Sequence, residues 1–172
     1  MIKIYLANLG KYNEGFLVGE WFDLSEGHTL EEMTEAIGVA PGTEYEEFAI
    51  HDYEAPFEIS EYSNVEELIE LAERLEGLQD YEVNAVCAII DNGSAQTYDE
   101  ACDMVENGDI IFYHDCKDMA DVAYEIVEES GMLSNAPETL TRYFDYEAYG
   151  RDLDIEGTFL ELEDEVMIQV LN

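Results

Sequence analysis

Acid with almost no base is the constraint this chain has to fold around. Its 172 residues carry 43 Asp and Glu against 6 Lys and Arg, a formal net charge of −37. Self-repulsion at that charge opposes every compact state. Folding against it needs a real core. With 47% hydrophobic and 12% aromatic residues, the chain has the material for one and does not read as a disordered acidic tail. The length allows one or two domains. The acid is also spread evenly: residues 1–60 hold 13 acids and 2 bases, residues 61–105 hold 12 and 1, and residues 106–172 hold 18 and 3. Neither end is a charged tail.

Periodicity then divides the chain by texture. Residues 1–60 read as a mixed α/β module. Ile2–Leu6, Phe16–Leu24 and Glu47–Tyr53 have strand character, with Asn13-Glu14-Gly15 as a turn signal. Thr29 and Glu32 form a capping box for a helix through Ile37. Residues 61–108 read as wholly helical: Ser63 to Glu76 with Ser63 as cap, Gln79 to Ile90, and Tyr98 to Glu106 with Thr97 as cap. Residues 109–172 return to α/β. A strand over Ile110–Tyr113 precedes a helix over Asp118–Glu129. Pro137 opens one or two shorter helices, and Thr158–Glu163 and Val166–Leu171 make a terminal hairpin. The expected fold class is α+β, built as an elongated chain of three small modules.

Chemistry is harder to find than charge. Asp145 to Glu156, DYEAYGRDLDIE, has the outer frame of a calcium loop, with Asp first, Gly sixth and Glu twelfth. Its interior breaks that reading, because Glu147, Tyr149 and Asp152 stand where shorter oxygen donors and an aliphatic residue belong. A helix with Tyr146, Tyr149 and Leu153 turned inward accounts for it better. His51-Asp52 and His114-Asp115 resemble metal-binding pairs, but only 3 His exist to complete such a site. No nucleotide loop and no GxSxG elbow occurs, so no cofactor and no enzyme activity are expected. Cys87, Cys102 and Cys116 have no disulfide or zinc spacing and read as reduced thiols of a cytoplasmic protein. No apolar run is long enough to span a membrane. The negative charge disfavours direct contact with nucleic acid or an anionic membrane surface.

The missing lysines carry the functional signal. A solvated helix face normally alternates Glu with Lys, because like charges at i,i+4 weaken a helix. Between Glu66 and Glu76 the polar face is Glu66, Glu67, Glu70, Glu73 and Glu76, interrupted only by Arg74. The omission recurs at Glu125, Glu128 and Glu129, and again at Glu161, Glu163, Asp164 and Glu165. A selected, unneutralised acidic surface explains all three. Duplex DNA carries one charge per about 1.7 Å, so 37 charges correspond to about 63 Å of helix. Carboxylates on a rigid scaffold can stand where phosphates would, and attract a DNA-binding protein by the same steering and counterion release.

Three blocks, IYLANLGKYNEGFLVGEWFDL at 4–24, EEFAIHDYE at 46–54 and YFDYEAYGRDL at 143–153, resemble the ArdA-type antirestriction proteins. The resemblance extends over essentially the whole chain. It implies a DNA mimic carried by mobile genetic elements such as conjugative transposons, which occupies the DNA-binding groove of type I restriction–modification enzymes. It implies an α/β, helical, α/β body that forms a homodimer through its C-terminal module. Pairing at such charge needs an apolar patch. The candidates are Ile111, Phe112 and Tyr113, with Tyr143, Phe144, Tyr146 and Tyr149. Three rival readings are an acidic mimic of another target such as a nucleoid protein, a salt-adapted ordinary domain, and a metal-binding module.

Overall fold

The computed structural model describes residues 1–171. They form two compact units, Met1–Gln79 and the residues from Asp80 onward. The helices grouped at 61–108 by sequence texture are shared between them, one in the first unit and two in the second.

In the first unit, β1 (Lys3–Asn8) is the middle strand of an antiparallel sheet, flanked by β2 (Gly19–Asp23) and β3 (Phe48–Glu54). Ile4 lies opposite Phe22 on one side and Tyr53 on the other. Alternation sends Ile4, Leu6 and Phe22 inward, where they are buried with Leu24 and Met33. Tyr5 and Trp21 meet edge to face on the outer side, with ring centroids 5.7 Å apart.

Helix α2 (Leu30–Ala36) starts at the capping box read from sequence: Thr29 Oγ1 accepts from the Glu32 N–H, and the Glu32 carboxylate accepts from the Thr29 N–H. Helix α3 (Val65–Glu76) buries Val65, Leu68, Leu71, Ala72 and Leu75 and packs on a 3-10 turn at Leu24–Glu26.

Two expectations are corrected by the structure. Residues Phe16–Val18 are not strand; β2 begins only at Gly19, and the chain before it forms a short helix α1 (Leu9–Asn13) and a loop. The cause is Asn8, the one buried polar side chain among the described residues. Its Oδ1 accepts from the Lys11 N–H, and its amide donates to the carbonyls of Ile37 and Gly38, so a helical turn forms where a plain hairpin turn was expected. The second correction is the cap of α3. Asn64, not Ser63, receives the Glu66 N–H at 3.0 Å, while Ser63 Oγ is held by the Ser60 N–H at 3.1 Å.

In the second unit, α4 (Asp80–Asn92) and α5 (Tyr98–Asn107) pack together, with Ala85, Val86, Ile89, Ala101 and Cys102 buried. Strands β4 (Ile110–Tyr113), β5 (Thr158–Glu161) and β6 (Met167–Val170) form an antiparallel sheet in the order β4-β6-β5. Helix α6 (Met119–Ser130) begins at Asp118, whose carboxylate accepts from the Ala120 and Asp121 N–H groups, and ends at Gly131 in the left-handed region. A short α7 (Glu138–Arg142) leads to α8 (Tyr146–Glu156), which packs against α6. The DYEAYGRDLDIE stretch is this last helix, with Asp145 as its cap accepting from the Ala148 N–H. A helix aims its side chains outward, so these acids do not converge as a calcium loop requires.

Candidate functional site

The surface feature that stands out is carboxylate. Of the 43 acids, Asp23, Glu82, Asp121 and Glu125 are half-buried; the other 39 are exposed and none is buried. Burial of an unpaired charge is costly, so the folded chain resolves its acidity by leaving none of it fully buried.

The five glutamates of α3 show how an element does this. Leu68, Leu71 and Leu75 occupy the inner stripe, and Glu66, Glu67, Glu70, Glu73 and Glu76 are all exposed. Like charges at i,i+4 cost an isolated helix about 0.2–0.5 kcal/mol per pair, so burial of the opposite face has to hold this helix. Glu66 and Glu67 in the first turn and Arg74 in the last have the signs that complement the helix dipole, whereas Glu73 and Glu76 do not. The fold also brings Glu66 to a cleft it shares with Glu31 and Glu35 of α2 and with Glu46. Those three were not singled out from sequence, although the i,i+4 spacing of Glu31 and Glu35 on a capped helix was readable.

On α6 the acids divide. Glu128 and Glu129 are exposed, but Glu125 is half-buried and accepts from the Cys116 thiol at 3.3 Å. Burial, and then the Glu125 carboxylate, push the Cys116 thiol from 9.0 up to about 12. Glu125 therefore has an internal task that its neighbours lack. Around the β5–β6 turn, Glu161, Glu163, Asp164 and Glu165 are all exposed. Asp164 and Glu165 have φ of 59° and 58°, a left-handed geometry that non-glycine residues adopt only at a cost. Two acids therefore sit where Asn or Gly would fit the backbone more easily.

Bases are few, and Lys11 and Arg142 show two of them paired with acids close in sequence. Lys11 Nζ lies 3.0 Å from Glu14 Oε2 and 3.8 Å above the Tyr45 ring, and Tyr45 OH donates to Glu14 at 2.9 Å. Hydrogen bonds to Lys11 and then Tyr45 hold the Glu14 carboxyl below its ordinary value. Arg142 meets Glu138 one turn earlier.

The aromatic candidates for pairing differ in their placement. Ile111 and Tyr143 are exposed, at 39% and 79%. Tyr113 is buried in its own unit, with its OH donating to Gln169 Oε1 at 3.0 Å. Phe112 and His114 pack on Tyr81. Phe144, Tyr146 and Tyr149 form one half-buried ring cluster, with Phe144 at 4.9 Å from Tyr146 and 5.8 Å from Tyr149.

The histidines of the two His-Asp pairs each pack on an aromatic ring. His51 lies edge to face with Tyr12 at 4.8 Å. No group of three or more His, Cys, Asp or Glu among the described residues is arranged to hold a metal ion. No helix among them is long and apolar enough to cross a membrane. None of the three cysteines forms a disulfide.

No curated protein matches the chain. The model of one family, described as antirestriction protein (ArdA), matches residues 4–167, which takes in both units and every acidic stretch described above. With that span of agreement over an α+β, acid-coated scaffold, the chain belongs to the ArdA family of antirestriction proteins.

Proposed function

We propose that this antirestriction protein works as a DNA mimic, with no catalytic step of its own. Its exposed carboxylates stand in for phosphates and occupy the DNA-binding groove of a type I restriction–modification enzyme. The observation that carries the reading is the α3 face, where five exposed glutamates share a helix with one arginine. A solubility device would tolerate lysine there; a phosphate substitute would not. Two copies pair through exposed apolar residues of the second unit, with Ile111 and Tyr143 as the most accessible of the sequence candidates. An apolar contact is what permits association of chains at −37 each.

Competition for a purified type I methyltransferase tests this. The protein should displace a duplex oligonucleotide bearing the recognition site, and both should lose affinity as salt rises. A ternary complex of enzyme, duplex and this protein would exclude the reading.

A further inference from the structure

Not all of the surface resembles DNA. Phe16, Leu17 and Val18 are consecutive and exposed at 63%, 66% and 37%, and Trp21 further along the same segment is exposed at 44%. A run of exposed apolar residues in a soluble fold marks an interaction site. DNA offers no counterpart to such side chains.

The run is also held firmly. Gly15 N–H donates to the Tyr12 carbonyl at 2.9 Å, Phe16 N–H to the Lys11 carbonyl at 2.9 Å, and Asn8 N–H to the Val18 carbonyl at 2.8 Å. Gly15 turns the chain at φ 89°, which a side chain would resist. Beneath it, Asn8 ties α1 to the backbone at Ile37 and Gly38. The apolar side chains are presented outward from a loop whose backbone is already bonded, so little ordering is left for binding.

We propose that Phe16, Leu17 and Val18 form an apolar anchor that seats in an apolar pocket set within the basic DNA-binding surface of the restriction target. The idea rests on the mimicry reading above and adds what mimicry alone lacks. Charge complementarity selects this occupant. Exposed Glu20 borders the loop, Glu14 on its other side is tied to Lys11, and the chain as a whole carries −37, so its partner surface carries bases around an apolar centre. The pairing of two copies proposed above uses residues of the second unit, which leaves this run to another partner, and an anionic membrane is repelled. The gain is selectivity over DNA. Ion contacts weaken as salt rises, but burial of apolar surface does not. The anchor lets the mimic keep its hold under conditions where DNA is released.

The test compares wild type with Phe16→Ala/Leu17→Ala, binding a purified type I methyltransferase over a series of sodium chloride concentrations. Both positions are exposed, so the variant should melt with the wild type; Leu17→Gln alone gives a second, milder variant. The expected result is affinity lower by about tenfold or more at every salt concentration, with the slope of log affinity against log salt unchanged. Equal affinities for folded wild type and variant would overturn the anchor. So would a fall in oligomeric mass in the variant, because the run would then serve a second copy. Wild-type competition with duplex is measured alongside. Its failure sinks the mimicry reading, whereas success with an unaffected variant sinks only the anchor.

Discussion

Gly150 shows how much one residue can decide. It is buried on α8, and a Cβ there would meet the backbone of α6 at the Met119 carbonyl and the Ala120 nitrogen. Two effects oppose each other on replacement by alanine. Helix propensity favours Ala over Gly by about 1 kcal/mol. Against this, the obstacle is backbone, which cannot swing aside, and overpacking of this kind costs about 1–3 kcal/mol. The clash wins, because α6 and α8 would have to separate along the surface that joins them. Gly150→Ala should therefore lower stability by about 1–2 kcal/mol, read as an earlier urea midpoint. An unchanged midpoint would mean that the two helices are not held at this distance. Although Gly150 occupies the sixth position of a calcium-loop frame, it lies inside a helix and is there so that two helices can touch.

At the scale of elements, caps decide where helices begin. Asn64 accepts from the Glu66 N–H and donates from its amide to Glu67 Oε1 at 2.8 Å. Ser63 faces the other way, towards Ser60. Asn64→Ala should cost about 1 kcal/mol, and Ser63→Ala less, in denaturant unfolding followed by circular dichroism. The reverse order would restore Ser63 as the cap. The case also shows what was legible in advance. Both residues are good cap formers at adjacent positions, so sequence narrows the choice to two and geometry makes it. The Thr29–Glu32 box and the Thr97 cap were readable outright, whereas Asp118 was read as the first residue of its helix rather than as its cap. The loop at Phe16–Val18 was not. Its apolar residues look like strand, and the reason they are not is a bond from Asn8 to carbonyls near residue 37, which no local pattern encodes. The acidic surface was readable as a quantity and, on α3, as a face. Glu125 was not distinguishable from Glu128, because only folding brings Cys116 beside it.

For the whole molecule, function and stability should pull in opposite directions, and that opposition is measurable. A net charge of −37 raises the energy of the folded state through self-repulsion. In an ordinary protein, removing an exposed acid does little. Here two acids are doubly unfavourable: Glu73 and Glu76 lie one turn apart, in the half of α3 where negative charge opposes the helix dipole. Glu73→Gln/Glu76→Gln should stabilise the free protein by about 0.5–1 kcal/mol. That gain should shrink as salt screens the repulsion, over a Debye length of about 10 Å at 0.1 M. If the same carboxylates stand in for phosphates, the variant should also bind the methyltransferase more weakly. Its salt dependence should be shallower by up to about 2 in slope, one for each carboxylate neutralised. Thermal melting and a salt series of binding measurements read the two quantities on one protein. A variant that gains stability and keeps both its affinity and its slope would show that this face is acidic for some reason other than binding. A variant that loses stability would show that the glutamates hold α3 in place. Only a gain in stability joined to a weaker complex identifies acid that the fold tolerates for the sake of a partner.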